Sequence, residues 1–277
     1  MDLLSLPLYL LVPIIFMFGV VIGSFLNVFI IRFHTGKSLS GSSHCMSCGK
    51  MLRWYDLFPL LSYLWLRGRC GQCGARIPAR YFWVEIISGI LAVVAVLSAG
   101  DVVVWPFMFL LAMVLVVIAV YDIDHMIIPH EFVWSLIAMS TFYLGYLFYL
   151  GDLTYLSGAY NLLAGVGSGL FFYGLWWYSG GRWLGLGDAK LAFPLGVMVG
   201  PWGAFSMLTL SFWVGAIISL AMIYFQYLQK RKKPSLQSSH SSLTMKSEVP
   251  FAPFLLIGFS LVMFLQVDVL DWFAYVW

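Results

Sequence analysis

Charge is what this sequence has least of. Of its 277 residues, 10% are Asp, Glu, Lys or Arg, against 62% hydrophobic and 18% aromatic. A soluble domain carries about a quarter charged residues, so the composition excludes an ordinary soluble protein and implies an integral membrane one. Cysteine is scarce as well: there are four, all between positions 45 and 73. The start, Met1-Asp2-Leu3, lacks the basic n-region of a signal peptide, and the apolar run behind it is too long for one. It reads as a retained first span. No internal repeat and no glycine-rich dinucleotide-type motif is present.

What is there is a series of apolar runs, roughly 8–31, 81–99, 103–121, 131–150, 159–179, 190–202, 204–227 and 250–267. A spanning helix needs about 20 mostly apolar residues. The sixth run is short and contains Pro194 and Gly196, yet parity argues for it. Lys190 and Lys230-Arg231-Lys232-Lys233 should share one side, so the chain between them must cross twice, with Gly200-Pro201-Trp202-Gly203 as the turn.

The few cations are unevenly placed. Eight of the fifteen Lys/Arg lie between Arg32 and Arg80, five lie between Lys230 and Lys246, and Arg182 and Lys190 flank Asp188. By the positive-inside rule Arg32 to Arg80, 122–130, 180–190 and 228–249 face the cytoplasm. The other side receives Asp2, Asp101, Asp152, Asp268 and Asp271 and no Lys or Arg. The expected fold is therefore an all-α polytopic membrane protein of about eight transmembrane helices, both termini outside. Its main cytoplasmic feature is the loop between helices 1 and 2; the Ser-rich segment Lys233 to Lys246 reads as a mobile polar loop.

All four cysteines fall in that first loop, as Cys45-Met-Ser-Cys48 and Cys70-Gly-Gln-Cys73, with 21 residues between the pairs. Glycine follows Cys48, Cys70 and Cys73. Two such knuckles let backbone amides face thiolate sulfurs and offer tetrahedral Zn²⁺ four ligands. Disulfides or unrelated thiols are the alternatives, and a reducing cytoplasmic location disfavours the former. A closed four-sulfur site would hold the loop together and would not itself catalyse.

Two aspartates stand where charge is costly: Asp122 at the end of the third run and Asp188 near the start of the sixth, in Gly185-Leu186-Gly187-Asp188. An ionisable group there is a functional-site hypothesis by default. Both motifs reach one membrane depth on one side, as a two-carboxylate site requires. The glycines let Asp188 turn inward. Position alone leaves a second reading open, in which the acids are interfacial and pair with Arg182 or Lys190. Asp124 reads as solvated and supportive; His125 and His130 could act as bases, though a lone loop histidine is more often just exposed.

With these residues in view, the chain resembles the type IV prepilin peptidases, a family of GxGD-type membrane aspartic proteases. Five stretches in order carry the resemblance over nearly the whole chain. They are Gly23-Ser24-Phe25-Leu26-Asn27-Val28 with Arg32; the paired cysteines with Pro59-Leu-Leu-Ser62-Tyr63-Leu64 and Gly68 between them; Arg80-Tyr81 with Val84-Glu85; Asp122-Ile-Asp124-His125 with Ile128-Pro129; and Gly185-Leu-Gly187-Asp188-Ala-Lys190-Leu191. The chain departs from the family at His130, where Asp is usual, at Leu186, and at Phe33-His34 after Arg32. None of these removes a group the chemistry needs.

The resemblance implies a division into a first span (1–32), a four-cysteine zinc-binding, methyltransferase-associated loop (33–80) and a membrane aspartyl peptidase domain (81–277). It implies catalytic Asp122 and Asp188, structural Zn²⁺ on Cys45, Cys48, Cys70 and Cys73, and S-adenosylmethionine as methyl donor. Glu85 is a candidate contact for the amine or the donor, with pairing to Arg80 or helix capping as the plainer role; packing and positioning of the first span is the plainer role for Asn27 and Arg32. The expected partners are prepilin or pseudopilin substrates and membrane lipid, without nucleic acid. The expected place is the bacterial cytoplasmic (inner) membrane, with the site facing the cytoplasm. Rival classes are another GxGD intramembrane protease without methyltransferase activity, and a non-enzymatic zinc-binding transporter.

Overall fold

The computed structural model describes residues 7–35, 38, 41, 43–232 and 250–271. The Ser-rich segment Lys233 to Lys246, Asp2 and the last six residues lie outside the described residues. The chain forms two compact units, Met1–Tyr121 and Asp122–Trp277. Among the described residues it is helical, with no strand longer than an isolated bridge. Apolar surroundings leave a backbone no partners but its own, which is why these runs become helices.

The helices are α1 (Leu8–Arg32), a short α2 (Leu61–Trp65), α3 (Arg80–Ser98), α4 (Trp105–His125), α5 (His130–Leu150), α6 (Tyr155–Ser179), α7 (Leu186–Lys232) and α8 (Ala252–Leu265). Among the described residues five of them, α1, α3, α4, α5 and α7, carry segments long and apolar enough to cross a membrane. α8 is a shorter apolar helix of 14 residues. All eight apolar runs fall on helix, the sixth and seventh joined in α7. Gly200 interrupts that helix with φ 71° and ψ −175°, immediately before Pro201. A Cβ at Gly200 would lie 2.9 Å from Asn161 Oδ1, so only glycine fits the break. The turn expected at Gly200-Pro201 is thus a sharp kink between two helical segments.

Unit 1 is organised by close packing of α1 on α3. Cβ atoms added at Gly19 and Gly23 would meet Ala92 Cβ and Ser88 Cβ, each at 2.7 Å. Glycines four apart lay the two backbones together, which suits helices that water does not drive together. The same device recurs in unit 2. There Gly196 of α7 faces Ser168 and Gly165 of α6, and a Cβ at Gly258 of α8 would sit 2.6 Å from the Met207 carbonyl of α7.

The helix ends in unit 2 follow from local chemistry. Gly151 and Gly180 close α5 and α6 in the left-handed region, and Thr154 opens α6 in a reciprocal capping box with Ser157. Phe251, just before α8, packs on Phe172 (5.4 Å between centroids) and Phe212 (5.1 Å). That cluster fixes where α8 begins. Beyond its other end, Ser206 of α7 donates to Asp268 Oδ1 at 2.7 Å and accepts from the Val269 N–H at 3.1 Å.

Candidate active site and cysteine cluster

Asp122 sits in the last turn of α4. The helix ends three residues later: the Met126 N–H closes on the Asp122 carbonyl at 2.8 Å, Met126 turns left-handed at φ 54°, and Pro129 starts α5. Asp188 sits in the first turn of α7. There the Gly185 N–H donates to Asp188 Oδ2 at 3.1 Å, and the Asp188 N–H returns to the Gly185 carbonyl at 3.2 Å. The carboxylate is held by the turn that its own motif makes.

These two turns meet. A Cβ at Gly187 would touch Ile128 at 3.2–3.4 Å, so the glycine turn before α7 lies against the Ile128-Pro129 link after α4. Asp188 lies within electrostatic reach of Asp122, and each is only 5% exposed. Asp124, two residues on, is exposed, as are His125 and His130.

Asp122 has one partner that the sequence did not reveal: the backbone N–H of Ala252, the first residue of α8. An N–H at a helix start carries partial positive charge and favours an anion beside it. The available signal was Pro250-Phe-Ala-Pro253 opening an apolar run, which marks a helix start but not what faces it. Asp122 Oδ2 is buried and has no hydrogen-bond partner among the described residues. Two buried carboxyls, one with a spare acceptor, can share a proton and hold a water, the arrangement that general acid–base hydrolysis requires.

The cysteine cluster belongs to unit 1 and is built from two matching tight turns. In the first, His44 bridges Met51, the Cys45 N–H donates to the Lys50 carbonyl (2.9 Å), and the Gly49 N–H donates to the Cys45 carbonyl (2.9 Å). In the second, Arg69 bridges Arg76, Cys70 donates to Ala75 (2.8 Å), and Gly74 donates to Cys70 (2.9 Å). Gly49 and Gly74 take φ 68° and 71°, while Gly71 has no positive φ. The four sulfurs lie within 4.8 Å of one another and could hold a metal ion.

Their electrostatics fit a cation. The Cys48 and Ser47 N–H groups facing Cys45 lower its thiol to about 6. At Cys73 the Ala75 N–H pulls down, but desolvation and the three neighbouring thiols prevail and push it up to about 11. One thiolate is prepared and the last is opposed by its neighbours, an imbalance that a bound dication removes.

Glu85 (8% exposed) does not simply cap its own helix: its Oε2 accepts the Leu60 N–H at 2.8 Å and holds that turn of the loop. Asn27 Nδ2 donates to the Tyr81 carbonyl at 3.1 Å, tying α1 to the start of α3. Arg32 Nη1 donates to the Ser38 carbonyl at 2.9 Å.

Comparison with known proteins agrees with this layout. Residues 17–99 match the family model described as Bacterial Peptidase A24 N-terminal domain, and residues 109–220 match that of the Type IV leader peptidase family. A prepilin leader peptidase/N-methyltransferase of Aeromonas salmonicida (strain A449) is 30% identical over 285 residues, covering 90% of this chain and 89% of the relative. One of Myxococcus xanthus (strain DK1622), bearing the same name, is 40% identical over 133 residues, 45% of this chain and 38% of the relative. The type 4 prepilin-like proteins leader peptide-processing enzyme of Escherichia coli O78:H11 is 32% identical over 212 residues, 66% of this chain and 75% of that one. No solved structure matches. With two successive family models and a relative aligned over nine-tenths of its length, this chain belongs to the type IV leader peptidase family.

Proposed function

We propose that this protein removes the leader of type IV prepilins or pseudopilins, using Asp122 and Asp188 as the catalytic pair, and then N-methylates the new N-terminus. We place it in the bacterial inner membrane with the site facing the cytoplasm, residues 33–80 serving the metal and the methyl transfer and 81–277 the peptidase. The observation that carries the reading is the pair of buried carboxyls brought together from α4 and α7, one of them with a spare acceptor oxygen.

The substrate's apolar helix would lie among the spans, with its scissile peptide bond at the ends of α4 and α7. One carboxylate takes a proton from water as the oxygen attacks the carbonyl carbon. The other carboxyl, protonated, donates to the carbonyl oxygen. Collapse breaks the C–N bond, the amine leaves with a proton, and the leader leaves with a new carboxylate. The Ala252 N–H and the Gly185 N–H keep the two carboxyls in place through these steps.

Cys45, Cys48, Cys70 and Cys73 would hold Zn²⁺, which fits a four-thiol donor set with amide-stabilised sulfur. Its contribution is structural, closing the loop over α1 and α3. S-adenosylmethionine, when bound, would supply an electrophilic methyl group for the freed amine. The residues present fit such a ligand: a buried acceptor, Asn27 Oδ1, has no hydrogen-bond partner among the described residues.

Co-expression with a prepilin tests the reading. Leader removal by the wild type and none by Asp122→Asn or Asp188→Asn is expected. Processing by both variants would refute the carboxylate pair.

A further inference from the structure

Unit 1 contains a cavity of about 250 Å³ between the cysteine loop and the ends of α1 and α3. Among the residues that line it are Asn27 and the carboxyl groups of Asp56 and Glu85. Asn27 is 3% exposed and lines it; because Nδ2 is engaged with the Tyr81 carbonyl, the amide's orientation is fixed and Oδ1 is the free end. That oxygen has no hydrogen-bond partner among the described residues. An unpaired buried acceptor is costly, so it calls for a donor from the ligand.

Two carboxylates stand in the same wall, Glu85 and Asp56. Glu85 is fixed twice, by the Leu60 N–H and by the Ser24 hydroxyl. The Leu60 contact also holds that residue at φ 59°, a conformation a leucine adopts only when its surroundings impose it. The aromatic part of the wall includes Tyr63 and Phe82, whose rings stack at 5.1 Å. Carboxylates, a lone amide oxygen and aromatic faces together suit an organic ammonium. Arg32 and Arg76 line the cavity as well, so a ligand carrying a carboxylate beside its ammonium is matched at both ends.

We propose that this cavity seats the amino-acid half of S-adenosylmethionine, its α-ammonium against Asn27 Oδ1 and the Glu85 carboxylate and its carboxylate toward the arginines. The inference rests on the methyl-transfer reading and assigns it a place. At about 250 Å³ the cavity is smaller than the roughly 300–1,000 Å³ of whole small-molecule sites, so only the amino-acid half is assigned to it. Cys45 and Cys70 also line the cavity, so the metal cluster shapes this seat directly.

The test separates the two halves of the donor. Zinc-replete full-length wild type, Asn27→Leu and Glu85→Gln, purified in detergent, are titrated with S-adenosylhomocysteine and with 5′-methylthioadenosine, which lacks the amino-acid half. Both variants should bind S-adenosylhomocysteine at least about tenfold more weakly, with 5′-methylthioadenosine changed by less than about twofold. Zinc content and size-exclusion profile report folding; should Asn27→Leu fail there, Glu85→Gln decides, since glutamine still accepts the Leu60 N–H. Unchanged S-adenosylhomocysteine affinity in the folded variants overturns the seat, as does equal weakening of both compounds. Mass analysis of the pilin N-terminus made by the wild type keeps the two claims apart. A methylated terminus with unchanged variant affinities sinks the seat alone, and an unmethylated one sinks the methyl-transfer reading and the seat with it.

Discussion

The cysteine cluster and the aspartate pair solve opposite problems. The cysteines sit on an exposed loop with little core, so their geometry comes from short-range backbone hydrogen bonds repeated in two tight turns. The aspartates sit on the ends of long helices and are brought together only by the packing of unit 2. In the first region the backbone turns organise the four thiols, which could hold a metal ion. In the second the helix scaffold positions and buries the two carboxyls. A four-thiol cluster on a thin loop can be assembled locally; two carboxyls at the ends of long helices must be brought to one place by helices that are stable without them.

The comparison predicts that damage to one region stays largely within it. Asp188→Asn removes a proton-transfer group without removing bulk, and leader cleavage should fall by at least about 10³-fold, with zinc content unchanged. Cys45→Ser should do the converse. The protein loses its metal, and limited proteolysis opens the loop around residues 43–76, because metal binding and folding are one equilibrium in so small a module. Its cleavage should fall less than that of Asp188→Asn. Equal loss of cleavage in the two variants would break the comparison and make the metal loop part of the peptidase.

A sharper cut is Ala252→Pro. Proline lacks the N–H that faces Asp122, and Phe251 before it is in the αR region that a following proline disfavours, so the N–H disappears and the start of α8 shifts. A hydrogen bond to a charged group is worth roughly 1.5–3 kcal/mol, so cleavage should drop about 10- to 100-fold. Circular dichroism checks the helix, and rates from prepilin processing check the chemistry. Unimpaired cleavage would mean that Asp122 is held by α4 alone.

How much of this was legible in the sequence follows the same division. The two CxxC turns could be read because the spacing of their ligands is the structure. The aspartates could be located, since charge beside a long apolar run is conspicuous, and the break at Gly200-Pro201 could be placed from charge parity. Their meeting at Gly187 and Ile128 could not be derived from position alone, and neither could Ala252, whose contribution is a backbone amide. The same holds for Asn27: its side chain looks like any polar group in a span until the Tyr81 carbonyl shows which end remains unpaired. Glu85 was visible as an acid at a helix start, but its target, the Leu60 amide, lies 25 residues back along the chain.

The smallest effect tests the equivalence of the two cysteine turns. The sequence places glycine after Cys48, Cys70 and Cys73 alike, yet only Gly49 and Gly74 occupy the left-handed region. Forcing an alanine into that region costs roughly 1–2 kcal/mol. Because metal affinity includes the cost of forming the turn, Gly74→Ala and Gly49→Ala should each weaken zinc binding about 5- to 30-fold. Gly71→Ala meets Leu66 Cδ2 at 3.4 Å and Asp56 Oδ1 at 3.7 Å, ordinary contacts, and should leave affinity within about twofold. Competition with a zinc-sensitive chelating dye measures all three. Equal losses at Gly71 and Gly74 would show that the glycines serve the loop through space for the chain and not through its handedness, and the two turns would then cease to be copies of one device.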